Sequence, residues 1–277
     1  GHAMLNEYAA DTSINTPGYL NIIVTNTMVG LGGTTYLYQD LNDGDMDFVG
    51  ASWGDSTISL FLNDGSQNFT EQTVSNILHD VRDVKVADMD GDRDMDLTVA
   101  APLAHSVSWF ENDGNLTFIE HDIYDLSGSH TYGYPEKTIP IDIDGDGDMD
   151  LLVGDFNGFI QYFENTSSNN NLTFSPIENV GNIDLSGNSV PTLGDLDGDG
   201  DLDMLVGQLN GSLVFYRNVG NTSQYNFQME PFDDIEVENN SAPELLDVDG
   251  DDDLDLILGS GSDGMLEFRN IGNTSNF

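Results

Sequence analysis

The sequence predicts an all-β fold, a five-bladed β-propeller with four antiparallel strands in each blade. Three observations predict it. An aspartate-rich string recurs five times, a set of strand signals repeats in step with it, and no long stretch follows a 3.6-residue period. Four-stranded units of roughly 40–50 residues are how propeller blades read in a sequence.

The string is DMDGDRDMD at 88–96, DIDGDGDMD at 142–150, DLDGDGDLD at 195–203 and DVDGDDDLD at 247–255, with a shorter DLNDGDMD at 40–47. Its final aspartates, Asp47, Asp96, Asp150, Asp203 and Asp255, are 49, 54, 53 and 52 residues apart. One strand leads into each loop. A second leaves it as an apolar run closed by a small residue, Gly50, Ala100, Gly154, Gly207 or Gly259. An alternating aromatic segment supplies the third strand, at 58–62, 107–111, 160–164, 213–217 and 266–269, and an asparagine ends each one: Asn63, Asn112, Asn165, Asn218 and Asn270. A phenylalanine then opens the fourth, at Phe69, Phe118, Phe174, Phe227 and Phe277. Period-two alternation between Gly, Asn and Asp turns argues for antiparallel pairing throughout.

The ends fit one domain, residues 5–277, of five repeats of about 52 residues, after a cloning remnant Gly1-His2-Ala3-Met4. Residues 20–24 (LNIIV) begin 20 residues before Asp40, as Phe227 stands 20 before Asp247. The N-terminal segment is therefore expected to pair with the last blade and close the ring.

Acids outnumber bases by 50 to 6, a formal net charge of −44. Such a surface repels phosphate backbones and anionic membranes, which excludes nucleic acid as a partner. Hydrophobic residues at 38% are enough to fill a core, so the charge does not mark a disordered polyacid. The absence of cysteine excludes disulfides, thiolate metal sites and cysteine nucleophiles. No apolar run reaches the roughly 18 residues of a membrane span, so no membrane insertion is expected.

The D-x-D-G-D-G-x-x-D loops followed by L-V-G, with VAAP at 99–102, resemble the FG-GAP/VCBS-type repeats of integrin α-subunit propellers. Similar repeats occur in secreted bacterial proteins and some fungal lectins. The resemblance runs from about Leu20 to Phe277 and implies a calcium-binding propeller. Integrin propellers have more blades, of which only some carry calcium loops, so an integrin-like ligand site does not carry over.

Closely spaced carboxylates on a tight turn suit Ca²⁺, which takes six to eight oxygen ligands at about 2.3–2.6 Å. As in an EF-hand loop, side chains 1, 3 and 5 would face the ion, residue 7 would offer its carbonyl, and acid 9 would close the shell. In the second loop these are Asp88, Asp90, Asp92, Asp94 and Asp96; in the third, Asp142, Asp144, Asp146, Asp148 and Asp150. The fourth offers Asp195, Asp197, Asp199, Asp201 and Asp203, and the fifth Asp247, Asp249, Asp251, Asp253 and Asp255. The first loop is one residue short and offers Asp40, Asn42, Asp43, Asp45 and Asp47. Four to five Ca²⁺ ions are expected. Magnesium prefers a compact octahedron with retained waters, and transition metals would recruit imidazole or thiolate. Gly147 and Gly200 fill the sixth position, where φ > 0 is needed, whereas the second loop has Arg93. The second loop is accordingly expected to bind more weakly than the third and fourth.

No histidine lies in a recognisable catalytic motif, and the reading is not an enzyme. Turns between second and third strands should emerge on the rim opposite the aspartate loops. There Trp53, His105 and Phe156, with Tyr132 and Tyr134 from the longest inter-blade connection, are candidate ligand residues. The functional expectation is a calcium-stabilised binding or adhesion module, secreted or on a cell surface, for an extracellular protein or glycan. A carbohydrate-binding lectin or an accessory domain of a polysaccharide-degrading enzyme is the alternative.

Overall fold

The computed structural model describes residues 24–26 and 34–270, apart from 42–43, 67, 126–133, 168–171, 178–179, 181–182, 186, 233–234, 249, 252 and 262–263. Its strands fall into five antiparallel sheets, one per blade. Blade one holds β1 (Val24–Asn26), β2 (Thr34–Asp40), β3 (Met46–Ser52), β4 (Thr57–Asn63) and β5 (Phe69–Ser75). Blade two holds β6 (Asp83–Ala87), β7 (Asp96–Ala101), β8 (Ser106–Asn112) and β9 (Phe118–Asp125). Blade three holds β10 (Pro135–Ile141), β11 (Asp150–Asp155), β12 (Ile160–Asn165) and β13 (Phe174–Ile177). Blade four holds β14 (Val190–Gly194), β15 (Asp203–Gly207), β16 (Leu213–Asn218) and β17 (Phe227–Glu230). Blade five holds β18 (Ala242–Leu246), β19 (Asp255–Ser260) and β20 (Gly264–Phe268).

The repeated sequence marks sit in equivalent register. In blades one to four the asparagine that ends the third strand pairs with the phenylalanine that opens the fourth: Asn63 with Phe69, Asn112 with Phe118, Asn165 with Phe174, Asn218 with Phe227. The second strands are unbroken apolar runs because both faces of the sheet are covered by neighbouring blades. Every residue of β7, β11 and β15 is buried.

The small residue closing each run has a steric cause. A Cβ at Gly154 would overlap the Ser189 carbonyl oxygen, and one at Gly207 the Ser241 carbonyl oxygen, where the chain passes into the next blade. Those serines stitch consecutive blades. Ser189 Oγ accepts the Asp155 N–H at 2.8 Å, and its own N–H donates to the Asp155 carbonyl at 2.9 Å. Ser241 does the same with Gln208, at 2.7 and 3.0 Å. The preceding residues, Asn188 and Asn240, turn at φ 50° and 48°. Asn-Ser-Val-Pro (188–191) and Asn-Ser-Ala-Pro (240–243) are thus a second repeated motif, which marks the joints between blades.

The first strands lie against one another from blade to blade, β2 on β6, β6 on β10, β10 on β14 and β14 on β18. Both lysines of the chain, Lys85 and Lys137, are on them. Lys137 Nζ donates to Glu244 Oε2 at 3.1 Å, a bond from blade three to blade five. Buried Asp83 of β6 accepts the Thr138 N–H at 2.9 Å and its hydroxyl at 3.1 Å, which joins blades two and three. A buried carboxylate and a nearly buried ammonium are tolerable there because each is paired or hydrogen-bonded.

The expected closing pair is not among these contacts. Val24–Asn26 pairs with β2 as a fifth strand of blade one, with Val24 opposite Tyr36. Residues 20–23 and Phe277 lie outside the described residues.

Candidate metal centre

Each aspartate loop joins the first and second strands of its blade, so all five lie at one end of the ring. The loops are built by carboxylates that hold backbone N–H groups. The first aspartate spans the turn. Asp142 Oδ1 accepts from Gly145 N at 2.7 Å and Oδ2 from Gly147 N at 3.1 Å; Asp195 repeats this with Gly198 and Gly200 at the same distances. Asp88 does so with Gly91 at 2.9 Å and Arg93 at 3.0 Å. The third-position carboxylates Asp90, Asp144 and Asp197 accept from the N–H two residues on, at 3.1, 3.3 and 3.2 Å. The fifth-position carboxylates Asp92, Asp146, Asp199 and Asp251 do likewise, at 2.8, 2.9, 3.0 and 3.1 Å. In the fifth loop Asp247 accepts from Gly250 N at 2.7 Å.

The left-handed turns fall where the sequence requires them. Gly147 and Gly200 have φ of 98° and 93°, and Arg93 takes the same place in the second loop at φ 81°. A side chain there costs on the order of 1 kcal/mol.

The ninth-position aspartates have a role that spacing alone did not reveal. Asp47, Asp96, Asp150, Asp203 and Asp255 are all at most 1% exposed. One oxygen of each accepts the N–H of the loop's second residue: Leu41 at 3.3 Å, Met89 at 3.0, Ile143 at 3.2, Leu196 at 3.1 and Val248 at 2.9. The other accepts the N–H of the strand-ending asparagine: Asn63 at 2.7 Å and Asn112, Asn165, Asn218 and Asn270 at 2.8 Å. Asparagine side chains return the contact, since Nδ2 of Asn63, Asn112 and Asn165 donates to the carbonyl of Met46, Met95 and Met149. The interval from aspartate to asparagine, 15 or 16 residues in every repeat, was the available signal for this pin.

Among the described residues, three loops gather carboxylates closely enough to hold one ion. Oxygens of Asp142, Asp144 and Asp146 lie within 4.8 Å of one another, as do those of Asp195, Asp197 and Asp199. In the second loop the group is Asp88, Asp90 and Asp96. Of the first loop, Asn42 and Asp43 lie outside the described residues, as does Asp249 of the fifth. The donor set is wholly oxygen, which matches a hard cation. Asp201 adds a telling detail: it is 4% exposed, and its Oδ1 is buried without a hydrogen-bond donor.

Electrostatics inside the loops point the same way. Burial raises the Asp96 carboxyl to about 7 and those of Asp150 and Asp203 to about 6, against the N–H groups that favour their ionised forms. Asp144 is pushed up by burial and then by the Asp146 charge, and Asp201 by burial and then by Asp199. A divalent cation relieves both effects at once.

At the opposite end, the turns after β3, β7, β11 and β15 expose Trp53, Leu103, Phe156 and Leu209, with exposures between 42% and 65%. His105 packs on Tyr134 with ring centroids 5.0 Å apart, and Tyr134 meets Phe156 edge-on at 6.5 Å. The Arg82 guanidinium lies 5.8 Å over the Trp53 ring and bonds Glu136 at 3.0 Å. Trp53, His105, Tyr134 and Phe156 are thus on one rim, with the last three in a continuous ring contact; Tyr132 lies outside the described residues.

No helix of the described residues is long and apolar enough to cross a membrane. No curated protein matches the chain. The FG-GAP-like repeat model matches residues 41–99, 88–153, 142–206 and 195–258, each match running from one aspartate loop to the strand beyond the next. Repeats of this kind often bind calcium and are typical of extracellular proteins. Its five blades, its loops and these four overlapping matches place the chain in the FG-GAP-like repeat family.

Proposed function

We propose that this chain is a calcium-stabilised binding module that works outside the cell, with a protein or glycan ligand held on the rim opposite the aspartate loops. The observation that carries the reading is the division of labour between the two ends of the ring. One end offers clustered carboxylates, which suit Ca²⁺. The other offers ring faces, Trp53 46% exposed, Tyr134 42% and Phe156 47%. Exposed aromatics of this kind mark binding surfaces, and they stack on sugars as readily as they bury against protein.

Calcium in this reading is structural. Sites of extracellular type bind at about 10⁻⁴–10⁻³ M, which suits the millimolar calcium outside cells. Ions that bind only the folded chain add stability by mass action, about 1.4 kcal/mol per site at tenfold the dissociation constant. The reading is one of recognition rather than turnover, and what supports it is the set of exposed ring faces and the Arg82–Trp53 cation–π pair on that rim.

A panel of immobilised glycans and matrix proteins, probed with and without calcium, tests this. Trp53→Ala and Phe156→Ala should reduce retention on any positive ligand while melting stays close to that of the parent. Binding that survives both changes but disappears on substituting loop aspartates, with the fold retained, would place the ligand at the other end.

A further inference from the structure

The residue just before each strand-ending asparagine is Leu62 in blade one, Glu111 and Glu164 in blades two and three, and Arg217 and Arg269 in blades four and five. The register is the same in each blade, so this side chain stands beside the mouth of the aspartate loop. In blade four the contact is direct. Arg217 Nη1 donates to Asp197 Oδ2, the third-position carboxylate that also belongs to the cluster with Asp195 and Asp199. The guanidinium is held from its other side, where Nε donates to Glu230 Oε1 at 2.9 Å and the head lies 5.8 Å over the Phe215 ring. It is a fixed positive charge and not a wandering surface side chain.

Blades three and four form a matched pair. DIDGDGDMD and DLDGDGDLD carry the same acids and the same glycines, and their backbones make the same Asp–Gly bonds. The neighbouring residue differs by two units of charge, Glu164 against Arg217.

We infer that Arg217 sets the calcium affinity of the fourth loop, occupying an oxygen of Asp197 and repelling the ion, so that this loop fills after the third. The inference rests on the calcium reading above. A unit charge about 6 Å from a divalent ion in a solvated loop is worth about tenfold in affinity. Arg217 therefore weakens the fourth site by about tenfold, and Glu164 strengthens the third. The sequence expectation put only the second loop below the third and fourth, and this inference puts the fourth below the third as well. The ring would then hold sites of graded affinity, with one loop responding to calcium at concentrations where the third is already filled.

The amide protons of Gly147 and Gly200, each held by the first aspartate of its loop at 3.1 Å, report the two sites separately in an NMR titration of the chelator-treated protein with calcium. In the parent, Gly147 should shift at calcium concentrations at least tenfold lower than Gly200. Arg217→Gln should bring the Gly200 midpoint down about tenfold and leave Gly147 where it was, while Arg217→Lys, which keeps the charge, should leave Gly200 high. The reciprocal Glu164→Arg should raise the Gly147 midpoint, and it stands as the test should Arg217→Gln fold poorly. A Gly200 midpoint unmoved by loss of the Arg217 charge, or a Gly147 midpoint unmoved by its arrival, overturns the inference. If neither glycine responds in the parent up to several millimolar calcium, the calcium reading itself fails, and this inference with it.

Discussion

Asn112→Ala is the sharpest test of how the blades are held. The side chain is 2% exposed and makes three hydrogen bonds. Nδ2 donates to the Met95 carbonyl at 3.0 Å, and Oδ1 accepts from Gly114 N at 3.1 Å and Leu116 N at 3.0 Å. Its backbone N–H, which holds Asp96, is untouched by the substitution. Each lost bond is worth about 1 kcal/mol, so the variant should lose about 3 kcal/mol. Unfolding entropy of about 2 cal/mol/K per residue, over 277 residues, gives about 0.6 kcal/mol per degree and a fall in Tm of about 5 °C. Scanning calorimetry in millimolar calcium measures it. The control is Asn115→Ala in the adjoining turn, an exposed side chain with one 3.3 Å bond to the Asp113 carbonyl, which should cost under about 0.5 kcal/mol. If the two variants melt together, the asparagine pin is not a main support of the hairpin.

Chelation should lower Tm by about 10 °C, since four or five sites each worth about 1.4 kcal/mol are lost together at about 0.6 kcal/mol per degree, and isothermal titration should recover the ions. The effect should depend on pH with a defined sign. Burial raises the Asp96, Asp150 and Asp203 carboxyls to about 6–7 in the fold, so the stability they contribute in chelator is complete below about pH 4 and lost as pH rises to 7. Calcium needs the ionised forms, so the calcium-induced rise in Tm should grow across that same window. A calcium response that is flat from pH 4.5 to 7.5 would contradict this. Gly207→Ala should cost about 1–3 kcal/mol by urea unfolding, because its Cβ meets the Ser241 carbonyl and the Pro243 ring. Lys137→Met should cost about 2 kcal/mol by taking from the half-buried Glu244 its hydrogen-bonded cation and leaving it only the Lys85 charge, and Glu244→Gln in the same chain should restore part of it.

The blade number, the strand order and the aspartate loops were legible in the sequence because each rests on a local pattern repeated many times. The phenylalanines at 69, 118, 174 and 227 open the fourth strands as the pattern indicates. What sequence could not supply is how separated segments meet. Asp150 with Asn165 was visible only as an interval, not as a bond, and Ser189 against Asp155 is a contact between blades that no period encodes. The Lys137–Glu244 pair, 107 residues apart, depends on the curvature of the ring. The Arg217–Asp197 contact that sets the fourth loop apart from the third comes from outside the loop and reaches it only through the pairing of β15 with β16.

The ninth-position aspartate has a consequence for how such a ring can change over time. Its two oxygens fasten the start of the loop to the third strand, and in the second loop the same carboxylate also stands in the cluster with Asp88 and Asp90. The hairpin therefore depends on this one acid, and the acids earlier in the loop can drift without undoing it. Blade one shows the outcome within this chain. Its loop has lost a residue, yet Asp47 still binds Leu41 N at 3.3 Å and Asn63 N at 2.7 Å, and the hairpin stands. A repeat built this way can shed its ion and remain a blade, which leaves each copy free to specialise.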